Sequence, residues 1–93
     1  MRAALWHGPG RPLEIEEVAL AAPEEGELEV EIAACAICQS DLSFIDGHWS
    51  IDPPAVFGHE ASGTVTRVGP GVPLAPGTRV SVTLARACGA CRE

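Results

Sequence analysis

The chain has 93 residues, of which 46% are apolar and 20% charged, and its formal net charge at pH 7 is −7. This composition is typical of a globular protein, and the length allows one small domain with a modest core. The 13 acidic residues outnumber six arginines, and there is no lysine. That balance argues against nucleic-acid and anionic-membrane partners, since proteins that bind phosphate-rich surfaces present basic ones.

The first residues show no targeting segment. The apolar run that follows Arg2 breaks at residues 7–10, and it is far too short for a signal peptide or a membrane span. We therefore expect a cytoplasmic protein whose cysteines stay reduced. In that setting C-x-x-C pairs favour metal binding over disulfides. The four cysteines are Cys35, Cys38, Cys88 and Cys91.

Strands are predicted where polar and apolar residues alternate. Residues 13–16 begin such a pattern, and residues 27–33 continue it without a break. Residues 64–68 are mostly β-branched, and residues 79–84 alternate again. The inward faces of these strands are predicted to carry Leu28, Val30, Ile32, Val65, Val80, Val82 and Leu84.

Turns and one helix complete the predicted fold. Ten glycines and eight prolines separate the strands into short pieces. Short strands with frequent turns predict an all-β barrel or sandwich. The exception is a short helix over residues 42–46, which Ser40 and Asp41 are expected to cap and Gly47 to end.

Two stretches, residues 34–42 and residues 58–63, carry residue types suited to metal chemistry. Cys38 offers a thiolate, His59 an imidazole nitrogen and Glu60 a carboxylate oxygen, a mixed set of the kind found around catalytic zinc. Each of these residue types is more often structural when it occurs alone, as a buried thiol, a loop imidazole or a surface charge. Their joint occurrence is what predicts a site.

Two polar neighbours extend this candidate site. Asp41 can orient the second ring nitrogen of His59, as metal-bound histidines require. Ser40 places a hydroxyl beside the metal, where it can take or pass a proton. Both residues would otherwise be explained as helix caps.

The sequence as a whole resembles a known family. The pattern C-x-S-D at residues 38–41, G-H-E at 58–60, GTVTRVGPGV at 63–72 and PGTRV at 76–80 is similar to that of the medium-chain, zinc-dependent alcohol dehydrogenases. The opening of the chain is similar to the first hairpin of that family. The resemblance implies a GroES-like, partly open β-barrel with one short helix.

The resemblance also implies roles for the residues of the two stretches. Cys38 and His59 are expected to bind a catalytic zinc, and Glu60 to approach the metal and exchange with water. Asp41 is expected to support His59. Cys35 matches a cysteine that does not bind the catalytic metal in many bacterial relatives, and we expect it to be structural.

On the substrate side, the resemblance implies that the Ser40 hydroxyl hydrogen-bonds a small-molecule alcohol and that Trp49 forms a wall of the pocket. Two positions depart from the family pattern. Ser43 stands where many members carry a histidine at the outer end of a proton relay, and Thr78 stands in place of an aspartate. We expect Ser43 at best to hold a water molecule and Thr78 to weaken a local turn contact.

The end of the chain resembles the start of a second metal site. Cys88 and Cys91 match the first two cysteines of a four-cysteine lobe that holds a structural zinc, and the third would follow Glu93. Residues 1–93 are therefore expected to be the N-terminal portion of a GroES-like catalytic domain in a longer enzyme. They contain no G-x-G-x-x-G turn, so the domain that binds NAD or NADP is expected to lie elsewhere.

The complete enzyme would interconvert alcohols with aldehydes or ketones and would be a homo-oligomer. By itself, the chain is expected to bind at most one zinc weakly and to be inactive. Two alternatives belong to other classes. One is a stand-alone GroES-like binding module of the co-chaperonin type, which has no need of the metal ligands. The other is a cysteine-rich zinc-binding interaction domain, which would bring all four cysteines to one metal.

Overall fold

The computed structural model describes residues 1–85 and residue 90. Five strands and one helix lie along these residues in this order: β1 Arg2–Leu5, β2 Glu14–Glu17, β3 Leu28–Cys35, α1 Gln39–Ile45, β4 Ala61–Val68 and β5 Arg79–Ser81. The prediction of a mainly β, GroES-like fold with one short helix is confirmed, and the sheets are open. In this part of the chain, no helix is long and apolar enough to cross a membrane.

The strands form two antiparallel sheets. β1 and β2 form a hairpin, and the second sheet has β4 between β3 and β5. A pair of backbone hydrogen bonds ties the hairpin to a distant loop: the Trp6 N–H donates to the Ala55 carbonyl at 2.8 Å, and the Ala55 N–H donates to the Trp6 carbonyl at 3.0 Å. Because Ala55 lies four residues before His59, the hairpin is anchored to the segment that carries the candidate ligands.

The buried core is small. Val65 on the central strand β4 is only 1% exposed, as the alternation predicts, and Val30 pairs with it across the sheet. Leu28, Val30 and Val80 are half-buried. Trp6 is equally buried, at 1% exposed, although no alternating pattern marked it. An aromatic residue just beyond β1 therefore contributes as much to the core as the predicted strand positions.

Three predicted core positions are wrong. Ile32 is 50% exposed, Val82 38% and Leu84 74%. Ile32 lies opposite Gly63, which has no side chain to pack against, and a register shift just after Ile32 interrupts the alternation of faces. β5 ends at Ser81, so Val82 and Leu84 lie beyond the last paired strand residue and do not follow its alternation.

The helix begins earlier than predicted. It spans Gln39–Ile45 with Cys38 as its N-cap residue, whereas the sequence predicted residues 42–46. Asp41 is the third helical residue, and its Oδ2 accepts a hydrogen bond from the Cys38 N–H at 3.0 Å. This is the returning half of a capping box, so the aspartate caps the helix from inside the first turn. Gly47, with a φ of +80°, follows the helix end as predicted.

A polar cluster links β3 to β4 on the exposed side of the sheet. Glu29 lies opposite Arg67, and its carboxylate accepts hydrogen bonds from the Arg67 guanidinium and, at 2.7 Å, from the Thr66 hydroxyl. The Arg67 guanidinium, with a smaller contribution from Thr66, holds the pKa of Glu29 below its ordinary value of 4.5. A carboxyl with a lowered pKa stabilises the folded state above its ordinary pKa, and that contribution is lost as the pH falls through the lowered value.

We therefore expect Glu29→Gln to reduce stability at pH 7 and to lose this effect under acid conditions. Urea unfolding at pH 7, 5, 4 and 3 measures the difference between the two proteins, which should be complete above pH 4.5 and shrink below it. Glu31→Gln is the matched control, since Glu31 lies on the same strand and is exposed. A difference that is the same at every pH, or equal in the two variants, would contradict the prediction.

Candidate metal and substrate site

Two elements bring the candidate ligands together. Cys38 immediately precedes α1, whose first turn carries Ser40 and Asp41, while His59 and Glu60 immediately precede β4. The end of β3 and the start of β4 are paired, and beyond that pair the Ala36 N–H donates to the Glu60 carbonyl at 2.8 Å. Residues about 20 positions apart in the chain therefore become neighbours through the antiparallel register.

The donor atoms of Cys38, His59 and Glu60 all lie within 4.8 Å of one another. The ligand atoms of a tetrahedral zinc lie about 3.3–3.8 Å apart, given metal–ligand distances of about 2.0–2.3 Å. Small side-chain movements are therefore sufficient to close the site on a metal. Cys38 and His59 are half-buried and Glu60 is exposed. One thiolate, one imidazole and one carboxylate form a donor set that fits zinc and leaves a position open.

Both ring nitrogens of His59 face polar side chains. Asp41 Oδ1 lies 3.4 Å from Nδ1, and Ser40 Oγ lies 3.3 Å from Nε2. Asp41 is only 7% exposed, and its other oxygen holds the Cys38 N–H. A carboxylate beside Nδ1 favours the tautomer that carries its proton there. That tautomer leaves the lone pair on Nε2, which lies 3.3 Å from Ser40 Oγ.

Close packing explains the glycine that precedes His59. Gly58 has a φ of +133°, and a Cβ atom at this position would lie 2.9 Å from the sulfur of Cys35. Cys35 is outside the cluster of three donors, and its thiol faces the Ala36 carbonyl at 3.6 Å. Cys35 is exposed, and its sulfur leaves no room for a side chain at position 58. The interpretation of Cys35 as structural stays a prediction.

Aromatic side chains close in sequence to the site residues pack against one another. Trp49 is 52% exposed, and its ring packs edge-on against Phe44 with a centroid distance of 5.3 Å. Phe44 in turn stacks on Phe57 at 5.8 Å. The family resemblance implied a place in the substrate pocket for Trp49 but none for either phenylalanine. The available signal was their position, since Phe44 follows Asp41 by one helical turn and Phe57 precedes His59 by two residues.

The two remaining predicted ligands, Cys88 and Cys91, lie outside the residues that the structure describes. The interpretation of these cysteines as part of a structural zinc site stays a prediction.

Comparison with known proteins gives the family. The sequence model of the family described as the alcohol dehydrogenase GroES-like domain matches residues 24–93. The chain belongs to this family. The expected resemblance is therefore confirmed, and the sheet and helix described above are those of a GroES-like alcohol dehydrogenase domain.

Individual relatives agree with this assignment. The NDMA-dependent alcohol dehydrogenase of Amycolatopsis methanolica is 42% identical over 92 residues, which cover 98% of this chain and 25% of the relative. The alcohol dehydrogenase zinc-binding domain protein of Burkholderia ambifaria superimposes with a TM-score of 0.88 at 40% identity, covering 97% of this chain and 24% of that structure. A zinc-binding dehydrogenase of Sinorhizobium meliloti, solved with NADP, gives a TM-score of 0.85 at 31% identity and covers 97% and 26%. The chain thus spans about a quarter of the length of the relatives it matches.

Proposed function

We propose that this GroES-like domain supplies the zinc-binding and substrate-binding residues of an alcohol dehydrogenase that interconverts small alcohols and aldehydes or ketones with NAD or NADP. The observation that carries the proposal is the convergence of Cys38, His59 and Glu60 within 4.8 Å, with Asp41 and Ser40 on the two ring nitrogens of the histidine. The co-chaperonin alternative needs no such arrangement.

Cys38 and His59 would hold the zinc, and Glu60, which is exposed, would be the ligand that exchanges with water. Zinc, when bound, supplies a Lewis acid toward the substrate oxygen. Asp41 keeps the proton of His59 on Nδ1, so that Nε2 retains the lone pair a metal ligand needs. Because Asp41 is buried and also caps α1, its own position is determined by the helix.

Ser40 would handle the proton of the substrate. Its Oγ lies 3.3 Å from Nε2 of His59, one of the three candidate metal ligands. A substrate hydroxyl bound beside the metal ligands would have the Ser40 hydroxyl as a neutral hydrogen-bond partner and proton acceptor. Ser43, whose hydroxyl donates to the Gln39 carbonyl at 3.1 Å, is engaged with the helix backbone, so we expect the proton to leave Ser40 through solvent.

Trp49 and Phe44 would contact the carbon chain of the substrate, which favours an apolar alcohol. Hydride would pass to a nicotinamide held by a separate domain of the longer enzyme.

The experiment that tests this proposal is a cobalt titration of the purified chain, since cobalt(II) is a spectroscopic substitute for zinc and its thiolate charge-transfer absorption reports sulfur ligation. We expect Cys38→Ser and His59→Ala each to weaken binding more than about 100-fold, because each removes one of three ligands. Cys35→Ser is the matched control, since Cys35 lies three residues from Cys38 but outside the cluster. Binding that is abolished by Cys91→Ser and unaffected by His59→Ala would refute the proposed site.

A further inference from the structure

Three aromatic rings, those of Trp6, Phe57 and Phe44, lie in contact with one another. Trp6 packs edge-on against Phe57 with a centroid distance of 5.6 Å, and Phe57 stacks on Phe44 at 5.8 Å with an interplanar angle of 15°. Each ring belongs to a different part of the fold: the first hairpin, the loop before β4 and the helix α1. The three rings therefore connect three segments of the chain. Within the described residues, the pairing of Trp6 with Ala55 is the β-bridge between these segments.

Phe57 and Phe44 each lie close in sequence to residues of the candidate site. Phe57 lies two residues before His59 in the same loop. Phe44 lies three and four residues after Asp41 and Ser40 on α1, so the three side chains share one face of the helix. The stacked rings of Phe57 and Phe44 therefore join the two segments whose polar side chains meet at His59.

Trp6 supports the stack from the core. The residue is 1% exposed, and its backbone is bonded in both directions to Ala55, two residues before Phe57. Among the residues that the structure describes, its indole Nε1 is buried without a hydrogen-bond partner. A buried donor without a hydrogen-bond partner destabilises the folded state, so the packing of the indole ring has to offset this cost.

We propose that Trp6, Phe57 and Phe44 are positioning residues of the metal site. Their packed rings hold the loop of His59 against α1, so that Nδ1 stays beside Asp41 and Nε2 stays beside Ser40. The part of this proposal that concerns metal affinity rests on the proposed function. The part that concerns the orientation of His59 does not.

The first test compares cobalt affinity in Phe57→Leu, Phe57→Tyr and Val65→Ala. Phe57→Leu keeps an apolar side chain but removes the stacked ring, and we expect about a tenfold loss of affinity with a changed cobalt spectrum. Phe57→Tyr keeps the ring and should restore both. Val65→Ala is the stability control, because Val65 is 1% exposed but lies four residues along β4 from Ala61, about 13 Å along the strand. At a temperature where all variants are folded, it should bind cobalt like the unmodified chain.

The second test needs no metal. Nitrogen-15 NMR of the His59 ring in the metal-free chain should show one dominant tautomer with the proton on Nδ1, and a mixture of tautomers in Phe57→Leu. Failure of the unmodified chain to bind cobalt would reject the proposed function while the NMR comparison still decides the role of the rings. Equal tautomer populations and equal affinities in Phe57→Leu and the unmodified chain would overturn the positioning proposal. So would a loss in Val65→Ala as large as that in Phe57→Leu.

Discussion

Asp41→Asn is expected to lower zinc affinity about 10- to 100-fold while the helix cap is retained. The carboxylate serves two partners: Oδ2 accepts from the Cys38 N–H at 3.0 Å, and Oδ1 lies 3.4 Å from Nδ1 of His59. An asparagine can keep its carbonyl on the Cys38 N–H, which then turns its NH₂ toward His59. Nδ1 must accept from that group, so the ring proton moves to Nε2 and blocks the metal-ligating nitrogen.

The comparison of Asp41→Ala with Asp41→Asn separates the two roles of the aspartate. Asp41→Ala removes the cap as well, so we expect the same loss of zinc affinity together with about 0.5–2 kcal/mol of lost stability. Isothermal titration with zinc measures the first quantity, and urea unfolding of the metal-free chain measures the second. Asp46→Asn, at the other end of α1, is the control for removing one negative charge from the helix. Unchanged affinity in Asp41→Asn would show that the aspartate only caps the helix.

Gly63→Ala is expected to have a large effect on folding. Gly63 lies in β4 opposite both Ile32 and Val80. An added Cβ would lie 2.1 Å from the Glu31 carbonyl oxygen and 2.8 Å from a methyl carbon of Val30. The contact with backbone cannot be relieved by a rotamer change, so the central strand would have to move away from β3. Overpacking of this kind costs about 3 kcal/mol or more.

Gly71→Ala is the matched control for this prediction. Gly71 has a φ of +80°, and a Cβ added there would have no neighbouring atom within 4 Å, so only conformational strain opposes the substitution. That strain is worth about 1–2 kcal/mol. Thermal unfolding by circular dichroism should give a much lower midpoint for Gly63→Ala than for Gly71→Ala, and the first variant is expected to be partly unfolded at room temperature. Equal midpoints would show that the sheet accommodates the methyl group.

Strands β2 to β5 and the turns were predictable because they depend on neighbouring residues, whereas β1 was expected only from the family resemblance. The alternation of residues 27–33 anticipated β3, and the turn residues between strands separated the elements. The same reasoning failed for Ile32, because a register shift and the facing Gly63 are properties of the pair of strands. It failed for the helix start because Asp41, a good N-cap residue, bonds backward from the third helical position.

The composition of the site was also available from the sequence. The types and order of Cys38, Ser40 and Asp41, followed by His59 and Glu60, specify donors suited to zinc and a hydroxyl suited to proton transfer. These are chemical properties of single side chains, and they are the same in any fold. The family was recognisable because these motifs, together with residues 63–72 and 76–80, resemble those of the alcohol dehydrogenases.

Only the tertiary structure decided which of these groups meet, and at what distance. The antiparallel register of β3 and β4 brings His59 to the first turn of α1, and the Asp41 carboxylate is divided between a backbone N–H and a ring nitrogen. The aromatic contacts of Trp6, Phe57 and Phe44 join residues up to 51 positions apart. Periodicity within one segment carries no information about such contacts, because they depend on how separate segments pack and not on the preferences of either segment alone.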